Sequence, residues 1–277
     1  MMYTRDLLRE HLQDRSKTDQ LVSFFVNKAV EEQKLELAKS PENADFIRFY
    51  EMQMQESAQQ NVKVIFAQAE SPIELAFLNS LHLCFIKAAP LNVYFRPSAN
   101  NHLAFMEQHI AFYGAICQRY AEFHDRNPDA GLDDFIRKAQ SVYEATESHS
   151  MPPALCEDIK TYLIFARVFV HNYFHLTIQA KLPTIKHNGR GMRTDLFIWV
   201  PTDSSLKIAI ECDGYKYHSN PESFTKDRQR DRILNANGIQ VQRFSGHEIH
   251  HNPQGVASEL FDQLTKIAEE RNLGPNA

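Results

Sequence analysis

The chain has 277 residues, 43% of them hydrophobic and 23% charged, enough for one large domain or two small ones with a substantial core. Its net charge of −5 and sequence pI near 6.2 exclude a general basic coat, so any contact with a polyanion must use a local patch. The first residues, MMYTRDLLREHLQDRSKTDQ, have no apolar run, and no stretch approaches the ~18 apolar residues of a spanning helix. These features, with four scattered cysteines (Cys84, Cys117, Cys156, Cys212) and no CxxC pair, predict a cytoplasmic protein with reduced thiols and no membrane contact, and argue against structural zinc.

Residues 1–70 read as a helical region. LVSFFVNKAVEEQKLELA repeats its apolar residues at helical spacing and Pro41 marks a break. A second helix runs through FIRFYEMQMQESAQQ toward Val64. Its apolar stripe of Phe46, Phe49 and Met52 packs on the chain's own core or, alternatively, forms a homodimer seam. Residues 71–90 form a first core helix, AESPIELAFLNSLHLCFIKA, with Ser71 as N-cap and Pro72 in the first helical position. Glu74 stands at the third, where it can bond back to the cap amide.

Residues 91–172 read as a helical insertion. NNHLAFMEQHIAFYGAICQRYAEFH is strongly periodic and ends near NPDAG; LDDFIRKAQSVYEA follows, and ALCEDIKTYLIFARVFVHN gives a third helix. His102 and His109 share a face, but with His124 they form no ligand set, so solvated or core-edge positions are expected. Phe105, Phe112, Tyr113, Tyr120 and Phe123 read as core.

From Tyr173 the period changes to two. HLTIQAKL, the turn KHNGRG, MRTDLFIWV, the turn PTDSS and LKIAIECDG predict an antiparallel meander. The helix SFTKDRQRDRILNANG with Gly238 as stop, the strand IQVQRF and a closing helix near VASELFDQLTKIAEE complete a β-β-β-α-β-α order across residues 173–272, leaving 273–277 as a tail. In LKIAIECD, Ala209, Glu211 and Asp213 share one strand face; in RTDLFIW, Asp195 goes with Phe197 and Trp199. If the strands are neighbours, three carboxylates converge at one end of the sheet. A divalent cation is the simplest way to relieve their repulsion, and hard oxygen ligands select Mg2+ or Mn2+. Asp213 also precedes Gly214, which is ordinary turn chemistry.

Taken together, RTDLFI, KIAIECDGYKYH and KDRQRDRILNANGIQVQRF resemble the PD-(D/E)XK nuclease superfamily. More narrowly they resemble the branch related to very-short-patch repair (Vsr-like) endonucleases and related bacterial domains. The matching residues are Arg193 and Asp195; Glu211, Asp213, Gly214 and His218; Asp227, Arg230, Asp231 and Leu234; and Gly238, Arg243 and Phe244. The SPIE helix start and Gln179 match as well. The resemblance covers residues 71–88 and 173–265.

It implies an α/β (α+β) fold: a restriction-endonuclease-like core with a central mixed β-sheet flanked by helices, to which N-terminal helices and a helical insertion are added. It implies a metal-dependent endonuclease acting on DNA. Asp195 and Glu211 would ligate Mg2+ (or Mn2+), with Glu74 adding a carboxylate. His218 and Asp227 would stand by the scissile phosphate, His218 as general base or acid, and Asp213 occupies the place of the superfamily's usual lysine. Lys216 and Lys226 are alternative substitutes for that lysine. Arg193, Lys226, Arg228, Arg230, Arg232 and Arg243 are candidate nucleic-acid contacts, although Asp227 and Asp231 interleave with them and an internal ion-pair network fits equally. A nuclease fold that binds nucleic acid or a protein without cutting is the rival expectation.

Overall fold

The computed structural model describes residues 18–39, 55, 58–88, 93–147, 150–151, 174–200, 203–214 and 221–271. The Phe46–Phe49–Met52 stripe, the expected helix over 154–172, and Lys216 and His218 lie outside these residues. The chain divides into two compact units, one of residues 1–103 with 173–267 and one of 104–172 with 268–277.

In the first unit, α1 (Thr18–Leu37) is the expected first helix. Residues 58–68 form α2, and Phe25 of α1 meets Phe66 at 5.4 Å between ring centroids. Helix α3 (Pro72–Ala88) starts where Ser71 and Pro72 predict. Strand β1 (Val93–Pro97) follows. Its five residues fall inside the stretch whose sequence suggests a helical insertion. VYFRP is only five residues long, too short for its alternation to stand out, and pairing with a distant strand reveals it.

The remaining strands are β2 (Phe174–His187), β3 (Arg190–Val200), β4 (Asp203–Asp213) and β5 (Gln240–Ser245). The sheet order is β1-β2-β3-β4-β5. The three central strands form the expected antiparallel meander, while β1 pairs parallel to β2 and β5 parallel to β4, so the sheet is mixed. Asn188 and Gly189, with φ of 52° and 76°, turn the chain between β2 and β3, matching a tight hairpin whose twist follows that of its strands. Helix α6 (Pro221–Ala236) makes the β4–β5 crossover and stops before Gly238, whose φ of 72° suits a residue without Cβ.

Consecutive residues Phe197, Ile198, Trp199 and Val200, and Ile208, Ala209 and Ile210, are all fully buried. A sheet buried on both faces needs a layer on each, which accounts for runs of apolar residues where alternation alone would predict one wet face. Phe85 of α3 packs on Phe174 at 5.8 Å and on Phe261 at 5.1 Å, while Phe77 lies 5.6 Å from Phe244. Phe261 belongs to α8 (Pro253–Glu270), the expected closing helix. A short helix, α7 (Gly246–His251), precedes it, started by a Ser245/Glu248 capping box. His102 is fully buried, with its ring 4.9 Å from Phe197, so it is a core residue rather than a solvated or core-edge one.

In the second unit, α4 (His102–Arg126, whose first two residues fall in the first unit) and α5 (Leu132–Glu147) are the two expected helices. Tyr120 and Phe123 pack on Phe135 at 5.2 and 5.6 Å, as expected of core aromatics. Among the described residues, no helix is long and apolar enough to cross a membrane.

Candidate metal centre on the central strands

Strand pairing brings the acids together. Leu196 pairs with Ile210, and one further step along the antiparallel register sets Asp195 across from Glu211, on one face of the sheet. Ile178 and Ala180 pair with Leu196 and Thr194, so Gln179 stands across from Asp195 on the other side. Glu211 in turn pairs with Arg243. A polar row, Gln179–Asp195–Glu211–Arg243, therefore crosses four strands of the sheet.

Asp195 Oδ2 accepts a hydrogen bond from the Cys212 backbone N–H at 2.8 Å, which fixes the carboxylate against β4. Burial raises its pKa from the usual aspartate value against the pull of that bond. Glu211 is only 6% exposed. Burial, followed by repulsion from Asp195, pushes its pKa up to about 8. A half-buried Asp195 beside a buried Glu211 whose ionisation it opposes is a charge problem this chain only partly answers: Arg230 Nη2 reaches Glu211 Oε1 at 3.4 Å and donates to Arg193 O at 2.8 Å.

Glu74 joins this group from α3. Its carboxylate accepts from Ser71 Oγ at 2.9 Å, from the Glu70 backbone N–H at 3.0 Å and from Gln179 Nε2 at 2.9 Å, while Ser71 Oγ accepts from the Glu74 N–H at 3.2 Å. The capping role is therefore made, although the backbone donor is Glu70 rather than the Ser71 amide expected from the sequence. Burial, then the charge of Asp195, raises the Glu74 pKa, so the helix carboxylate and the strand carboxylate do feel one another.

The other candidates divide sharply. Asp213 accepts from Arg243 Nη1 at 2.8 Å, and Arg243 Nε and Nη2 hold Asp231 at 3.0 and 2.8 Å. With side chains 13–17% exposed, this triad ties α6 to the ends of β4 and β5. The donors of Arg243 are thus committed to carboxylates rather than presented to a phosphate. For Arg243 the internal ion-pair network is therefore formed. Arg193 pairs with Glu70 through both nitrogens, at 2.6 and 2.8 Å, at an exposed position. Arg228 lies 3.5 Å from Asp231 and is half exposed. Lys226 and Arg232 are exposed and Asp227 is half-buried on α6. Sequence reasoning put Arg230 among the phosphate contacts; its reach to Glu211 appears only once α6 is laid on the sheet.

Among the described residues, no three His, Cys, Asp or Glu side chains form a ready metal-holding group. Mg2+ does not demand one: it keeps several waters and is commonly held by one or two carboxylates together with substrate phosphate. The half-buried Asp195 and buried Glu211, both with raised pKa values, fit that requirement, because a dication stabilises both ionised forms at once.

Comparison with known proteins gives no match among curated proteins or solved structures. Residues 181–264, running from within β2 to within α8, match the family model REase_MTES_1575, so this segment is similar to restriction-endonuclease-like domains, and the mixed sheet flanked by helices is consistent with such a core.

Proposed function

We infer that the protein is a metal-dependent endonuclease that hydrolyses phosphodiester bonds in DNA. The observation that carries this reading is the pairing of half-buried Asp195 with buried Glu211 in a segment similar to restriction-endonuclease-like domains, where desolvation, first, raises the pKa of both carboxylates. Mg2+ or Mn2+ bound there would polarise the phosphate and activate a water. Asp195 and Glu211 would hold it. Glu74 shapes the site from α3 through Gln179, its oxygens being already engaged by Ser71, Glu70 and Gln179. His218 and Asp227 are the residues assigned to proton transfer and phosphate placement, on the motifs that resemble the Vsr-like branch. Lys226 and Arg228, exposed on α6, are the local cationic contacts that an acidic chain requires.

One observation favours a second reading, a nuclease fold that binds without cutting. Asp213 stands where a catalytic lysine is usual, and it is locked to Arg243. The two readings are separated by incubating the purified chain with supercoiled DNA, single-stranded DNA and RNA, in Mg2+, Mn2+ or chelator, beside Asp195→Ala and Glu211→Ala. Metal-dependent cleavage lost in both variants supports the enzyme. Binding without cleavage in any metal supports the module, and cleavage that survives both substitutions refutes the site.

A further inference from the structure

Gln179 carries two costs at one position. It lies within β2 with φ of 54°, the left-handed region that a residue with a Cβ enters only at a steric cost. Asn188, the other non-glycine at positive φ among the described residues, is in a hairpin turn that calls for that conformation. No turn accounts for Gln179, whose neighbours Ile178 and Ala180 keep their pairing with β3 unbroken.

The second cost is in the side chain. Gln179 is 6% exposed, and its Nε2 donates to Glu74 Oε2 at 2.9 Å. That partner also accepts from the Glu70 N–H, so it faces the amide as an acceptor and fixes which end of the amide carries the nitrogen. Oε1 is then left buried without a hydrogen-bond partner. A buried acceptor in that state loses its hydration without a replacement. Strain and an unmet acceptor on the same residue, in the same row as Asp195 and Glu211, are what a site held ready for a ligand looks like.

We propose that Gln179 is a further residue of the metal centre, its Oε1 accepting a hydrogen bond from a water carried by the bound divalent cation. This rests on the metal reading of Asp195 and Glu211 and extends it to the neighbouring strand. The chemistry suits the residue: a neutral amide oxygen accepts from a water made acidic by the cation, adds no negative charge to an already acidic row, and is oriented by Glu74 through its other end. It also gives the capping carboxylate of α3 a second task, since Glu74 fixes the amide that meets the cation's hydration shell.

The test is Mn2+ binding to the full chain without nucleic acid, followed by calorimetry, on wild type, Gln179→Met, Gln179→Gly and Asp195→Asn. Gln179→Met keeps the length and removes the acceptor, whereas Gln179→Gly also relieves the backbone. Both are expected to weaken Mn2+ binding by roughly ten- to a hundredfold, the usual cost of losing a group that supports a metal's own ligands. Asp195→Asn is expected to abolish binding. Wild-type affinity in a folded Gln179→Met or Gln179→Gly, with binding lost in Asp195→Asn, overturns the role of Gln179 alone. No Mn2+ binding by the wild-type chain overturns the metal reading, and this proposal with it.

Discussion

Replacing Glu211 by glutamine tests the electrostatics of the site without touching its shape. In the folded chain, burial and then Asp195 raise the Glu211 pKa from 4.5 to about 8. The protonated acid is therefore the form the fold favours. Below pH 4.5 folded and unfolded chains both hold the proton and the group is neutral in the balance. As pH rises toward 8 the unfolded chain releases its proton first, so stability is lost through that window and levels off above it. At ~1.36 kcal/mol per pKa unit the loss is bounded at roughly 5 kcal/mol; relaxation and water at a strand end reduce it to several kcal/mol. Glu211→Gln removes the titration. It should lie within about 1 kcal/mol of wild type near pH 5 and be more stable by about 2–4 kcal/mol at pH 8.5 without metal, which for a unit of this size is a Tm difference of about 5–15 °C. Mn2+ should reverse the order at pH 8.5, because the dication stabilises the carboxylate and not the amide. Thermal melts at pH 5, 7 and 8.5, with Mn2+ and with chelator, read this directly, and Trp199 serves as the fluorescence probe, being the chain's sole tryptophan and fully buried. Identical pH profiles for variant and wild type in chelator would refute the electrostatic account of Glu211.

Arg243→Met leaves Asp213 and Asp231 without their shared cation in a mostly buried setting, and should cost about 3 kcal/mol by urea unfolding; a loss below ~1 kcal/mol would show the triad to be effectively solvated. Ser245→Ala removes the hydroxyl that accepts from the Glu248 N–H and should cost about 1 kcal/mol, read by the same method. Gly238→Ala meets no atom within 4 Å, so its expected loss of about 1 kcal/mol comes from the backbone at φ 72° alone, and an unchanged unfolding midpoint would contradict that account.

Much of this protein follows from local sequence. The Ser71–Pro72–Glu74 start of α3, the Asn188–Gly189 hairpin and the Gly238 stop are set by short-range steric and hydrogen-bonding rules, and each element stands where those rules put it. The short PTDSS turn makes β3 and β4 neighbours, and their register then sets Asp195 across from Glu211, the convergence that strand parity made conditional on that pairing. Burial is a different matter, because it depends on what covers the strand. His175, Thr177 and Gln179 have the polar alternation of a wet strand face, yet all three are buried once helices cover both sides of the sheet. Strand β1 is invisible for a related reason: its parallel partner begins at Phe174, across the whole inserted segment, and no local pattern reports such a contact.

The cations show the same limit. From the sequence, Arg230 and Arg243 are equal members of a charged helix-strand motif. Folding commits Arg243 to Asp213 and Asp231, and brings Arg230 to Glu211. Spacing along the chain determined which residues bear the charge. Only the packing of α6 against the sheet decided which carboxylates receive a full partner and which, Asp195 and Glu211, are left with too little positive charge to ionise freely in a buried place.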